Sequence, residues 1–256
     1  MRNVSIDALD HLPVDVLPVG TEYPPDHQLA RHRHRRAQLL YGASGVMQVV
    51  TDDGSWTVPT DRAVLIPPGV GHEVLMRGVT TWSLYIEPDA VPWWPAVCTV
   101  VEVGPLLREV LRAANELEAD YDTAGRDGTL VRLALDELQR VSPAPFAITL
   151  PRDEPFRSLC RDYLAAPDAG VTNAVWARRV AMSDRSFDRH FRAATGTGPA
   201  TWRSRARLLA SLPLLQTRSV TNVAGQLGYA SPAAFTAAFT RAFGAPPSRF
   251  GAAAAG

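Results

Sequence analysis

Ser183-Asp184-Arg185-Ser186-Phe187-Asp188-Arg189-His190-Phe191-Arg192-Ala193-Ala194-Thr195-Gly196 is the stretch that decides how this chain folds, because its pattern returns 48 residues later. The second copy has Ser231, Phe235, Phe239, Gly244 and Pro247 where the first has Ser183, Phe187, Phe191, Gly196 and Pro199. In each copy serine is an N-cap, the two phenylalanines at i+4 and i+8 make one buried stripe, and glycine followed by proline stops the helix. A second short helical stretch precedes each serine, Ala177-Arg178-Arg179-Val180 and Ala224-Gly225-Gln226-Leu227, with a turn one residue longer in the second copy. Two helices joined by a short turn, the second with an exposed polar face, outline a helix-turn-helix. The chain carries two.

On a helical wheel Arg185, Asp188, Arg189 and Arg192 fall in one sector, roughly opposite Phe187 and Phe191. Arginine makes a bidentate contact to guanine or binds phosphate, while Asp188 either accepts from a cytosine amine or braces an arginine. A solvated helix face is the plainer explanation of such charge, and the repeat argues against it. The equivalent sector of the second copy holds Ala233, Thr236, Ala237 and Thr240. Small side chains of this kind touch a thymine methyl but make no bidentate hydrogen bond, so the second helix should supply fit and phosphate contact more than sequence choice.

The net charge of the 256 residues is zero, yet Thr172 to Phe250 holds 11 Arg against only Asp184 and Asp188, a balance of +9. The rest is correspondingly acidic. This asymmetry points to a nucleic-acid-binding module fused to something else. There is no lysine anywhere, a bias that covers the acidic part too and so reads as genome composition.

Residues 153 to 250 resemble the DNA-binding domain of the AraC/XylS family of transcriptional regulators. The resemblance is carried by Ala181 to Phe191, by Arg205-Ala206-Arg207-Leu208-Leu209, by Gly228-Tyr229-Ala230-Ser231 leading to Phe235 and Phe239, and by Phe243-Gly244 and Pro246-Pro247. It implies a pair of helix-turn-helix motifs joined by a linker helix, their recognition helices in successive major-groove segments about one turn, ~34 Å, apart. It also implies Arg185, Asp188 and Arg189 as base readers. Pro232 suits the first position of its helix. Pro213, inside the connector Thr201 to Leu215, should kink or shorten that helix unless it already ends near Leu212.

The first 150 residues read differently. Gln38 to Tyr41, Val46 to Val50, Ser55 to Val58, Ala63 to Ile66 and Trp82 to Ile86 are short β-type runs, and Asp52-Asp53-Gly54 is a hairpin turn. Strands at this spacing make a sandwich or small barrel. Two segments resemble cupin motifs: His32-Arg33-His34 with Gln38 and Gly45, and Pro67-Pro68-Gly69 with His72. Gln38 stands where the motif usually has Glu, Asp61 where it has Gly, and Met76 where it has Asn. A His-x-His pair on a strand puts both imidazoles on one face, so His32 and His34, with His72 on a facing strand and Gln38 as a weaker fourth ligand, are candidates to hold zinc, nickel, iron or manganese. The other reading is a metal-free ligand pocket lined by the same side chains. The AraC-family branch that this stretch resembles places a cupin-type sensor before the DNA-binding domain.

Leu106, Leu107, Val110, Leu111, Ala114 and Leu117 form an amphipathic stripe, and a second amphipathic helix is expected from Asp127 to Arg140. These helices either cover the barrel or, as the resemblance implies, form a homodimer contact through 104–140. Ser142 to Pro145 reads as a linker. The expected fold is therefore two-domain, an all-β cupin-like barrel in 1–103 and an all-α double helix-turn-helix in 151–256, with a helical dimerisation and linker segment, 104–150, between them. Cys98 and Cys160 fit no metal or redox motif. No long apolar run or signal-peptide core occurs, so a cytoplasmic protein without membrane association is expected. Val91-Pro92-Trp93-Trp94-Pro95 reads as barrel-capping core or as a ligand-pocket wall.

A metal-dependent cupin enzyme would explain the histidines but not the duplicated basic motif. An architectural DNA binder would leave the barrel idle. A regulator, not an enzyme, explains both: it binds double-stranded DNA, senses a small effector and, if an activator, contacts RNA polymerase.

Overall fold

The computed structural model describes residues 5–251. The ends, 1–4 and 252–256, lie outside it, and with them the first residues of the stretch inspected for a signal peptide. The described residues form two compact units, 5–50 with 58–144, and 51–57 with 145–251.

The first unit is built on strands β1 (Val16–Glu22), β2 (Pro25–His32), β3 (Ala37–Gly42), β4 (Val46–Val50), β6 (Arg62–Ile66), β7 (His72–Arg77), β8 (Thr80–Ile86) and β9 (Thr99–Glu102), with β5 (Gly54–Val58) between β4 and β6 in the chain. One antiparallel sheet runs in the order β1-β8-β3-β6-β9. In the other, β7 lies between β4 and β2. Alternation along β3 and β8 sorts their residues onto two faces. Leu39, Tyr41, Leu84 and Ile86 enter the core cluster, whereas Gln38, Leu40, Ser83 and Tyr85 line a cavity.

Helices α1 (Pro105–Ala114) and α2 (Arg126–Leu138) seal the cluster side. Leu107, Val110, Leu111 and Ala114 of α1 and Val131, Ala134 and Leu138 of α2 are buried in the cluster with β3 and β8. Each large apolar side chain so buried stabilises the unit by about 1.5–3 kcal/mol. The stripe thus packs internally except for Leu106, which is exposed. The last of its expected residues, Leu117, is buried beyond the helix end. Val91 is core, with Trp93 and Trp94 packed on the same cluster, and none of the three lines the cavity.

The second unit opens with β10 (Ala147–Thr149), which pairs antiparallel with β5. Then follow α3 (Phe156–Ala165), α4 (Asn173–Arg179), α5 (Asp184–Thr195), α6 (Pro199–Leu215), α7 (Val220–Gln226) and α8 (Pro232–Phe243). Residues 147–149, near the end of the expected segment 104–150, are therefore a strand. Phe146 stacks on Phe243 at 4.9 Å, and the Trp202 indole donates to the Thr149 carbonyl at 2.8 Å. Asp52 and Asp53 meet Arg157 and Arg152 at 3.0 and 2.7 Å. Pro213 neither ends α6 at Leu212 nor shortens it, and the helix runs to Leu215. A proline so near the C-terminal end removes a single backbone bond, and Leu209, Leu212 and Leu215 stay buried.

Candidate functional site

The two helix-turn-helix motifs repeat atom for atom at their caps. Ser183 Oγ accepts from the Ser186 amide at 3.3 Å and Ser231 Oγ from Ala234 at 3.1 Å, and Gly196 and Gly244 close the helices in the left-handed region with φ of 74° and 76°. The turns match as well. Met182 donates to the Ala177 carbonyl and Tyr229 to that of Ala224, both at 2.9 Å. At the equivalent turn positions Ala181 has φ 54° and Gly228 has φ 72°, so the first motif places an alanine where the second uses glycine.

Phe187 and Phe191 are wholly buried among Phe156, Trp176 and Trp202, and Phe235 and Phe239 are equally buried in the second motif. Facing away from that anchor on α5, Arg185, Arg189 and Arg192 are exposed and Asp188 is half-buried. Asp188 holds the Arg192 guanidinium at 2.7 Å, one turn along. Among the described residues Asp188 braces Arg192. Arg192 also lies over Gly198, where an added Cβ would come within 2.7 Å of its Nη2. Arg185 and Arg189 make no ion pair among the described residues. On α8, Ala233 and Ala237 are exposed and Thr236 and Thr240 half-buried.

Not all the positive charge of this unit faces outward. Arg203 is buried, bonded to Asn173 at 2.7 Å and stacked 4.7 Å from the Trp176 ring. Arg205 caps the Ala147 and Pro145 carbonyls, and Arg207 reaches Tyr163. These three brace the connector. Arg178, Arg241 and Arg249, absent from the expected readers, are exposed toward the ends of their elements. Their mark in the sequence is only the regional charge excess.

The first unit holds a cavity of about 480 Å³. Val19, Leu29, Leu40, Val74 and Met76 give it an apolar wall, and His32, His34, Gln38, His72, Ser83 and Tyr85 a polar end. The expected four residues are brought together, with two changes of placement. His72 is on the neighbouring strand of the same sheet, directly opposite His32, rather than on a facing strand. His34 lies beyond the end of β2, so strand alternation does not orient it. Gln38 comes from the other sheet. Ser83 and Tyr85 were not singled out from the sequence, although the alternation Trp82-Ser83-Leu84-Tyr85-Ile86 puts both on the face opposite the apolar residues.

The Nδ1 atoms of His32, His34 and His72 each lie against a backbone carbonyl, those of Ala30, Arg36 and Val70, at 2.8, 2.6 and 2.9 Å. A carbonyl only accepts, so each ring carries its proton on Nδ1 and presents Nε2 as a lone pair. His34 meets the Gln38 amide at 3.0 Å, and this tautomer requires the amide to turn its NH2 toward the ring, its oxygen accepting from the Tyr85 hydroxyl at 3.0 Å. His72 Nε2 is buried with no partner among the described residues. Burial lowers the pKa of His34 and pushes that of His72 down to about 4, so both rings are neutral at pH 7.

Neutral rings held at Nδ1 are the form a metal ion binds. Ring centroids 4.4 Å apart for His32 and His72, 5.2 Å for His34 and His72 and 6.3 Å for His32 and His34 leave the cluster uneven. No group of three or more His, Cys, Asp or Glu among the described residues is arranged to hold a metal ion as it stands.

Beside this cavity, Arg36 is fully buried and gathers the incoming chain. It donates to the Leu12 and Val14 carbonyls and to Asp10, while Arg35 pairs with Asp10 and Glu87. Ser5, Ile6 and Asp7, just upstream, line the cavity.

Comparison with known proteins matches residues 19–140 to the AraC-like ligand binding domain and residues 176–253 to a helix-turn-helix domain. The HTH-type transcriptional regulator NimR of Escherichia coli K12 is 28% identical over 221 residues, 86% of this chain and 81% of NimR. The DNA-binding domain of AdpA, solved with a target DNA, is 35% identical, with 40% of this chain and 93% of that one covered and a TM-score of 0.37. ToxT of Vibrio cholerae, solved with an unsaturated fatty acid, is 14% identical over 92% of this chain and 94% of its own, with a TM-score of 0.39. Among the described residues no helix is long and apolar enough to cross a membrane.

Proposed function

The chain belongs to the AraC/XylS family of transcriptional regulators, DNA-binding proteins with a ligand-binding barrel and a helix-turn-helix domain, and from that premise we propose which residues carry its two tasks. Arg185 and Arg189 read base edges from the major groove, with Arg192 held in place by Asp188 for a neighbouring phosphate or base. Ala233, Thr236, Ala237 and Thr240 fit the second helix into the next groove segment. Arg178, Arg241 and Arg249 take phosphates. The observation that carries this reading is α5 itself, a capped helix anchored by two wholly buried phenylalanines with unpaired arginines on its outer face.

The barrel's task is to bind the effector in the 480 Å³ cavity. A divalent metal on His32, His34, Gln38 and His72 is a second reading of its polar end, favoured by the three Nε2 lone pairs and tested by elemental analysis of protein never exposed to a chelator or a nickel column. We also assign a second copy of the chain as partner through α1 and α2, where Leu106 and Leu133 stay exposed, RNA polymerase as partner at activated promoters, and a cytoplasmic location, where the DNA is. Leu106→Glu should shift the protein toward monomer in sedimentation. An unchanged sedimentation coefficient would remove these helices from the interface.

The regulatory reading is tested by gel shift with DNA flanking the gene, at about 0.15 M salt with nonspecific competitor. Specific binding should exceed nonspecific binding by at least ~10³. Equal affinity for unrelated DNA would reduce the protein to a phosphate binder.

A further inference from the structure

The polar end of the cavity is selective in its hydrogen-bond polarity. Backbone carbonyls make Nδ1 the donor in His32 and His72, so the neutral form of each ring offers only an acceptor at Nε2. The rings stand opposite each other on β2 and β7, 4.4 Å apart. His72 is 1% exposed and its Nε2 has no partner among the described residues, although both it and the cavity are polar there. Gln38 does not supply a donor to it, since its amide is engaged with His34, Ser83 and Tyr85. A buried acceptor left unpaired is costly, and the missing partner must come from whatever fills the cavity. Asp7 and Arg33, the two other lining groups that carry formal charge at pH 7, are of opposite sign and set no preference by net charge.

We propose that the effector is a small molecule with an N–H donor head, an amidine, guanidine or amine, which donates to the paired Nε2 atoms of His32 and His72 while an apolar body lies against Val19, Leu29, Leu40, Val74 and Met76. A carboxylate head is the wrong polarity: it brings only acceptors to two lone pairs. This rests on the barrel being the effector site. A metal ion would satisfy the same lone pairs, and the test separates the two.

Benzamidine and benzoate share a ring and a planar head of opposite hydrogen-bond polarity. Titrated calorimetrically into the full chain at pH 7.5, with and without EDTA, benzamidine should bind at least about tenfold tighter than benzoate, the worth of one hydrogen bond to a charged donor. His72→Phe, which keeps a flat ring in the strand, should remove most of that advantage. Benzoate binding as tightly as benzamidine overturns the proposal, as does a preference that survives His72→Phe. So does stoichiometric metal in the purified protein whose removal alone allows benzamidine to bind. Failure of both probes to bind also overturns the head-group assignment, while the regulatory reading is judged separately by the gel shift, which reads DNA affinity.

Discussion

Arg185 and Arg189 lie one turn apart on α5 with no acidic partner among the described residues, which favours base reading by them over Arg192, already held by Asp188. Arg189→Ala should lose about 1–3 kcal/mol of specific affinity in competition binding while nonspecific affinity falls much less. An equal loss of both would make it a phosphate clamp. Ala181 is the next residue to test. Its left-handed backbone costs an L-residue about 1–2 kcal/mol, and the equivalent Gly228 avoids that cost. Ala181→Gly should therefore raise the thermal midpoint of the reader unit, less the entropy glycine adds to the unfolded chain. A lowered midpoint would show the strain to be absent. In the barrel, the hydrogen bond from Arg35 holds Glu87 below its ordinary value of 4.5. A depressed carboxylate contributes stability that is complete above its unfolded pKa and is lost as pH falls through the folded one. The gap in melting temperature between wild type and Glu87→Gln should thus be open at pH 7 and close below about pH 4. A gap independent of pH would mean the ion pair contributes nothing.

Elements were legible where local chemistry alone defines them. The caps, stripes and stops of α5 and α8 are written in consecutive residues, so both helices lie where the sequence puts them. Phe191→Ala should cost about 3–5 kcal/mol and abolish DNA binding by unfolding this half. Retention of the melting transition with loss of binding would mean Phe191 faces outward. The strands β3, β4, β5, β6 and β8 were readable as apolar runs. β1, β2, β7, β9 and β10 were not. Pro18 and Gly20 interrupt β1, Asp26, His27 and Arg31 make β2 look like loop, and β10 has three residues. Their pairing comes from long-range partners that no local pattern names. The histidine cluster shows the same limit: its members were legible from spacing, but that His72 opposes His32 across one ladder is a matter of register.

At the scale of the whole molecule, residues 51–57 belong with 145–256 although the chain on either side of them belongs to the barrel. Nothing local in Thr51 to Thr57 announces this. It follows from the β5–β10 ladder and the ion pairs of Asp52 and Asp53. A reader fragment begun at residue 151 lacks β10 and the partner of the Trp202 indole, and should melt below one begun at 145. The charge division, by contrast, was legible at once, since it needs only counting. On the proposed function, two recognition helices on one chain read successive turns of one DNA face, with base choice concentrated in α5. Guanine-methylation interference on the bound flanking DNA tests it most directly. Two patches are expected on one face, centred about 10–10.5 base pairs apart, with the strong interference in one patch abolished by Arg185→Ala together with Arg189→Ala. A single patch, or interference unchanged by those substitutions, would contradict it.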